Sequence, residues 1–234
     1  MSARRRGEAP ATAMILAAGR GERMRPLTDD SPKPLLRAGG RPLIAWHLER
    51  LAEAGFSQVV INLGWKGEQI REYLGDGRDF GVRIRYSPEG WPALDTGGGI
   101  HNALPLLGEA PFVVLNADVW TDFPLAELRL EADAMARLVV VDNPEHNPKG
   151  DFLLRGDRLV PADGEAVTFT GIGLYRPRLF ASLEPGRFPL APVLRRAIAE
   201  DRVCGIRHHG VWIDVGTPER LEQLDQRLGQ ESSQ

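Results

Sequence analysis

The chain has 234 residues, 42% of them hydrophobic and 26% charged, a balance that fits a folded globular protein and excludes a fibrous or disordered one. A formal net charge of -3 gives no overall basic field, so nucleic acid is not expected as a partner. Cys204 is the single cysteine, which excludes an internal disulfide and a multi-cysteine zinc site.

Residues 1–12 read as a disordered leader: Arg4, Arg5 and Arg6 precede an apolar run, Ala13 to Ala18, that is too short for a signal segment. No stretch approaches the roughly 20 apolar residues that span a bilayer, so a cytoplasmic protein without a membrane partner is expected. The chain then alternates short branched runs with amphipathic segments. Ala13 to Leu16 reads as a strand, Leu43 to Ala54 as a helix, Val59 to Leu63 as a strand, Glu68 to Leu74 as a helix and Val82 to Tyr86 as a strand. Leu43, Ile44, His47, Leu48 and Leu51 share one helical face, and Gly55 marks its end. Pro111 to Asp118 reads as a strand buried on both faces that finishes in a carboxylate.

From Arg137 onward the pattern becomes strand-like: Leu138 to Val141, Gly150 to Leu154, Arg158 to Val160 and Val167 to Tyr175. A helix over Ala191 to Glu200 precedes strands at Val203 to Ile206 and Val211 to Asp214, and Pro218 to Leu228 forms a closing helix with Thr217 as its cap. The expected fold class is α/β, a Rossmann-like doubly wound sheet, mixed but mainly parallel. Without repeats or linkers, residues 13–228 read as one domain, with 13–120 as one half, 121–228 as the other and 229–234 as a flexible tail.

In such a sheet ligands bind beyond the carboxyl ends of strands. The first such loop carries Leu16, Ala17, Ala18, Gly19, Arg20, Gly21, Glu22, Arg23, Met24 and Arg25, with Lys33 shortly after. Small residues let backbone N–H groups approach a phosphate, and Arg20, Arg23, Arg25 and Lys33 supply charge to neutralise a polyphosphate. Met24 stands where a dinucleotide fingerprint needs its third glycine, and no Gly-Lys-Ser/Thr follows as in a P-loop.

The string Leu-Ala-Ala-Gly-x-Gly-x-Arg-Met-x-Pro-Leu-Thr, followed by Pro-Lys-Pro-Leu, resembles the signature of the sugar nucleotidylyltransferases. The resemblance runs from about Ala13 to Leu228 and implies that the glycine-rich loop wraps the NTP phosphates. It gives Arg23, Lys33 and Asp118 catalytic roles and places Thr96, Gly97 and Gly98 beside the nucleotide base; no specific role follows for Asp95. Asp214, within Trp212-Ile213-Asp214-Val215-Gly216-Thr217-Pro218-Glu219, matches the family's metal-binding aspartate, so Asp118 and Asp214 are expected to hold Mg²⁺. Asn116, Gly150, Asp151, Glu165, Thr170 and Gly171 match the sugar-phosphate wall, while the lysine that many relatives carry after that glutamate is replaced by Ala166.

The implied activity joins an NTP to a sugar 1-phosphate and releases pyrophosphate, in a monomer or small homo-oligomer without a C-terminal β-helix. Within the family the pattern looks most like the branch that uridylylates N-acetylmuramic acid α-1-phosphate in bacterial cell-wall recycling. A mannose, heptose or glucose 1-phosphate enzyme is the neighbouring alternative, and a non-catalytic nucleotide sensor the alternative of another class. The five histidines are too scattered to nominate a site, and the tryptophans read as packing.

Overall fold

The computed structural model describes residues 10–161 and 166–231. Most of the expected leader and the end of the expected tail lie outside these residues, as does Glu165. Strands and helices follow in the order β1 (Thr12–Leu16), α1 (Leu27–Asp30), β2 (Arg37–Ala38), β3 (Arg41–Pro42), α2 (Leu43–Glu53), β4 (Gln58–Leu63), α3 (Gly67–Leu74), β5 (Arg83–Pro88), α4 (Asp95–Leu107), β6 (Phe112–Asn116), β7 (Val119–Thr121), β8 (Ala136–Val141), β9 (Leu153–Arg155), β10 (Arg158–Val160), β11 (Thr168–Tyr175), α5 (Leu190–Ala199), β12 (Val203–Arg207), β13 (Trp212–Asp214) and α6 (Pro218–Glu231).

Nine strands form one sheet in the order β5-β4-β1-β6-β11-β8-β12-β10-β9. Pairing is parallel from β5 to β6. It then becomes antiparallel on both sides of β11, parallel between β8 and β12, and antiparallel through β10 to β9. The expected mixed, mainly parallel doubly wound sheet is what forms. Its chain order reverses at β1, which has β4 on one side and β6 on the other.

Side-chain alternation shows why these runs become strands with helices on both faces. Ala13 and Ile15 of β1, Val59 and Ile61 of β4, and Val113 and Leu115 of β6 enter one core with Ile44, Leu48 and Leu51 of α2 and Ile70 of α3. Their neighbours Met14, Val60 and Val114 point the other way, into a second core with Ile100 and Ala103 of α4 and Leu194 and Ile198 of α5. A third, smaller core joins Met24 of the glycine-rich loop and Leu43 to Val215, Leu224 and Leu228, which anchors α6 beside the loop.

Three differences from the sequence reading have local causes. The β6 strand ends at Asn116 and Asp118 falls in the turn before β7, because the ladder closes with Ala117 N–H donating to Leu16 O at 3.1 Å. The Gly150 end of the expected strand is a turn, with Gly150 at φ 62°; Phe152 makes a single antiparallel bridge to Val167, and the regular strand starts at Leu153. The closing helix continues past Leu228 to Glu231. The strand expected at Val211 to Asp214 forms as β13, but β7, only three residues long, and its pairing with β13 went unforeseen.

His47, 6% exposed, belongs to the buried face of α2 and rests near the backbone of Ala117 and Val119. Burial, reinforced by the Arg50 guanidinium, pushes its pKa down from 6.5 to about 4. The unfolded chain therefore takes up a proton that the folded chain refuses, so stability present above pH 6.5 is lost as pH falls through about 4. Chemical denaturation at about pH 7 and about pH 5 should show the wild type losing about 2 kcal/mol more than His47→Gln over that interval.

Candidate active site

The cleft opens where the sheet reverses its strand order, beyond the carboxyl ends of β1 and β6. Its first chamber, about 340 Å³, is floored by Leu16, Ala17, Ala18, Gly19 and Gly21 and walled by Arg23, Lys33 and Asp118. Asn62, Glu89, Asp95 and Thr96 close the opposite side. A Cβ on Gly19 would meet no protein atom, so the loop presents bare backbone at that point. Gly21 adopts φ 69°, a left-handed conformation that favours glycine, and its carbonyl accepts from Met24 N–H and from the Thr28 hydroxyl, both at 2.9 Å.

Buried polar groups brace the loop from beneath. Asn62, 3% exposed, accepts from Ala17 N–H at 2.6 Å through Oδ1 and donates to Glu89 Oε1 at 2.6 Å through Nδ2. Glu89 Oε2 in turn accepts from Leu94 N–H at 2.8 Å. Burial raises the Glu89 pKa, against the pull of its bonds to Asn62 and Leu94. Behind the loop, a Cβ on Gly64 would stand 2.5 Å from Ala18 O, which already accepts from Trp65 N–H at 3.1 Å.

A second chamber of about 290 Å³ adjoins the first, and Arg23, Asn116 and Asp118 belong to both. Its other walls are His146, Asn147 and Asp151, the Thr168–Gly171 edge of β11, and Trp212 with Asp214. The β7–β13 sheet brings the two aspartates together: Asp214 pairs with Val119, and Val215 N–H donates to Asp118 O at 2.8 Å. Each carboxylate already meets a cation. Lys33 Nζ donates to Asp118 Oδ2 at 2.5 Å, and Arg220 Nη1 donates to Asp214 Oδ2 at 2.7 Å.

Carboxylate oxygens from the end of β13 and from the turn before β7 suit a hard divalent cation. The charge of the first chamber favours one too, because Arg23 and Lys33 face the carboxyl groups of Glu22, Glu89, Asp95 and Asp118. Such a wall would repel a polyanion that arrived without a counterion.

Most residues singled out in the sequence line one chamber or the other, and several do not. Arg20 turns away: it pairs with Glu22 at 3.0 Å and Asp29 at 3.5 Å and lies over the Trp65 ring at 4.0 Å. Arg25 is spent on Asp29 at 2.8 Å. Gly97 and Gly98 line neither chamber. A Cβ on Gly97 would strike the Phe188 ring at 2.6 Å, and Gly98 packs on the Gly186 backbone, so both glycines allow close packing of protein on their Cβ side. Thr96 does reach the first chamber, although its hydroxyl accepts from Leu190 N–H at 2.9 Å.

In the second chamber Gly150 is set back, packed on Asn143 and Ala166, while Asn116, Asp151, Thr170 and Gly171 are in place. The Thr170 hydroxyl donates to Val139 O at 2.8 Å and Asp151 Oδ2 accepts from Phe169 N–H at 2.8 Å, so both residues shape the wall. Sequence reasoning missed Asn62, Glu89, His146, Trp212 and Arg220. The last two sit inside or beside the segment that yielded Asp214, whereas no spacing signal points to Asn62, Glu89 or His146.

A family model described as nucleotidyl transferase matches residues 12–152. N-acetylmuramate alpha-1-phosphate uridylyltransferase from Neisseria meningitidis serogroup B is 51% identical, over 93% of this chain and 98% of the relative. The protein of the same name from Caulobacter vibrioides is 34% identical, over 95% and 99%. A solved structure of a putative glucose-1-phosphate thymidylyltransferase from Bacillus anthracis superposes with a TM-score of 0.81 at 19% identity, covering 93% of this chain and 95% of that one, which shows a common fold.

The Asn62 bridge offers a direct check. Asn62→Ala leaves Ala17 N–H buried without its acceptor and should lower stability by about 1–3 kcal/mol in urea denaturation. The same variant should weaken nucleotide binding measured by calorimetry, because the loop that forms the floor loses its brace.

Proposed function

The chain belongs to the nucleotidyl transferase family, and on that footing we propose that it transfers a uridylyl group from UTP to N-acetylmuramate α-1-phosphate, releasing pyrophosphate. The observation that carries the reading is the pair of chambers meeting at Arg23, Asn116 and Asp118. Two substrates seated in them bring their phosphates to a common wall. High identity to uridylyltransferases named for this acceptor, along nearly the full length of both chains, supports the choice of base and sugar.

In the proposed reaction a sugar-phosphate oxygen attacks the α-phosphorus of UTP. The new oxygen–phosphorus bond forms as the bond to the β-phosphate bridge breaks, and pyrophosphate departs with the electron pair. The nucleophile is already an anion at neutral pH, so no side chain has to remove a proton. The backbone of Ala18 and Gly19 receives the triphosphate, and Arg23 and Lys33 offset charge that builds on the departing phosphates. Lys33 is 8% exposed, and its ammonium is kept in place by Asp118.

Asp118 and Asp214 would hold Mg²⁺, which when bound supplies charge neutralisation and a common orientation for the two phosphates. Asn116, Asp151, Thr170 and Gly171 shape the acceptor chamber. The activity belongs to cytoplasmic recycling of cell-wall sugar. No helix among the described residues is long and apolar enough to cross a membrane.

Purified protein with Mg²⁺ should release pyrophosphate from UTP with N-acetylmuramate α-1-phosphate. GTP, CTP or dTTP, and glucose, mannose or N-acetylglucosamine 1-phosphates, should serve far less well; a different preferred pair overturns the substrate assignment. Asp118→Asn should lower kcat on the order of 10²–10³-fold while circular dichroism stays native, and unchanged turnover would remove Asp118 from the mechanism.

A further inference from the structure

Arg23 is the one guanidinium or ammonium side chain lining the second chamber among the described residues, yet a second guanidinium stands directly behind that wall. Arg220, in the first turn of α6 with its side chain 18% exposed, donates through Nη1 to Asp214 Oδ2 at 2.7 Å. The same Nη1 lies 3.2 Å from His146 Nε2. A guanidinium carries donors and no acceptor, so in this contact the imidazole nitrogen accepts. Nη1 has two hydrogens, one for the carboxylate and one for the ring. The ring hydrogen of His146 is thereby left on Nδ1.

The surroundings hold this arrangement in place. His146 stacks on Trp212 with centroids 6.2 Å apart and planes at 22°, and the indole Nε1 donates to Thr170 O at 3.0 Å. His146 Nε2 is also 3.4 Å from Asp214 Oδ2, too far to compete with the shorter Arg220 bond to that oxygen. Gly216 leaves room for the guanidiniums, since a Cβ there would stand 2.7 Å from Arg220 Nη2 and 3.2 Å from Arg23 Nη2.

We propose that Arg220 is a positioning residue for the acceptor: it holds Asp214 and fixes His146 as the Nδ1–H tautomer, and His146 donates a hydrogen bond to the sugar 1-phosphate in the second chamber. The inference rests on the two-substrate reading of the chambers. It adds a residue that lines the acceptor side and a partner that orients it, in the manner of outer-shell groups around metal ligands.

Long-range proton–nitrogen correlation spectra of ¹⁵N-labelled protein without substrate test the orientation. Wild type should show His146 as the Nδ1–H tautomer, and Arg220→Met should shift it toward Nε2–H. In kinetics with UTP and N-acetylmuramate α-1-phosphate, Arg220→Met and His146→Ala should each raise KM for the sugar phosphate on the order of 10–100-fold, with KM for UTP changed by less than about threefold. Arg220→Lys, which keeps a charged donor, should recover part of that loss.

An unchanged His146 tautomer in Arg220→Met overturns the positioning role. A KM effect falling equally on UTP, or absent in His146→Ala, overturns the acceptor contact. Wild-type protein that uses no sugar 1-phosphate would defeat the functional reading itself, while the spectra would still decide whether Arg220 sets the ring.

Discussion

Parallel pairing of β1 with β4 on one side and β6 on the other is the constraint on which the rest depends. It sends the chain away from β1 in opposite directions and opens a crevice between the loops that follow β1 and β6. One more bond just past the strands, from Ala117 N–H to Leu16 O, ties those loops side by side. The glycine-rich backbone and Asp118 therefore face the same space because two strands share a register. Burial enforces that register, since slipping β1 by one residue would exchange Met14 with its neighbours Ala13 and Ile15 between opposite cores.

Precision within the crevice comes from buried polar contacts added to this frame. Asn62 links the floor of the first chamber to Glu89, and Glu89 reaches the backbone at Leu94, just before α4. The β7–β13 pair performs the corresponding task for the carboxylates, and the small core around Met24, Val215 and Leu224 fastens α6 to the loop. That core gives Arg220 a fixed origin, from which its guanidinium holds Asp214.

Much of this was legible in the sequence, for identifiable reasons. Strands such as Val59 to Leu63 and helices such as Leu43 to Ala54 declare themselves through period and branching, because burial on one or both faces selects the residues. Asp118 drew notice as the carboxylate ending a buried strand and Asp214 as part of an extended motif, and the structure lines one chamber with both. Charge in a sequence does not reveal partners, and in the structure Arg20 and Arg25 pair with Glu22 and Asp29. At positions 97 and 98 the sequence shows glycine but not what fills the space where a side chain would be, which in the structure is Phe188 and the Gly186 backbone. Asn62 and His146 act through partners distant in the chain, and such contacts leave no local pattern.

The wall common to the two chambers makes their occupants thermodynamic partners. Arg23, Asn116 and Asp118 cannot adjust to one guest without altering the lodging of the other. Whatever factor the nucleotide imposes on acceptor affinity, the acceptor imposes on nucleotide affinity, irrespective of which arrives first. An inhibitor fitted to either chamber alone would thus have a potency that depends on how full the other is. A single molecule spanning the wall would escape that dependence, and linkage would give its second half a high effective concentration.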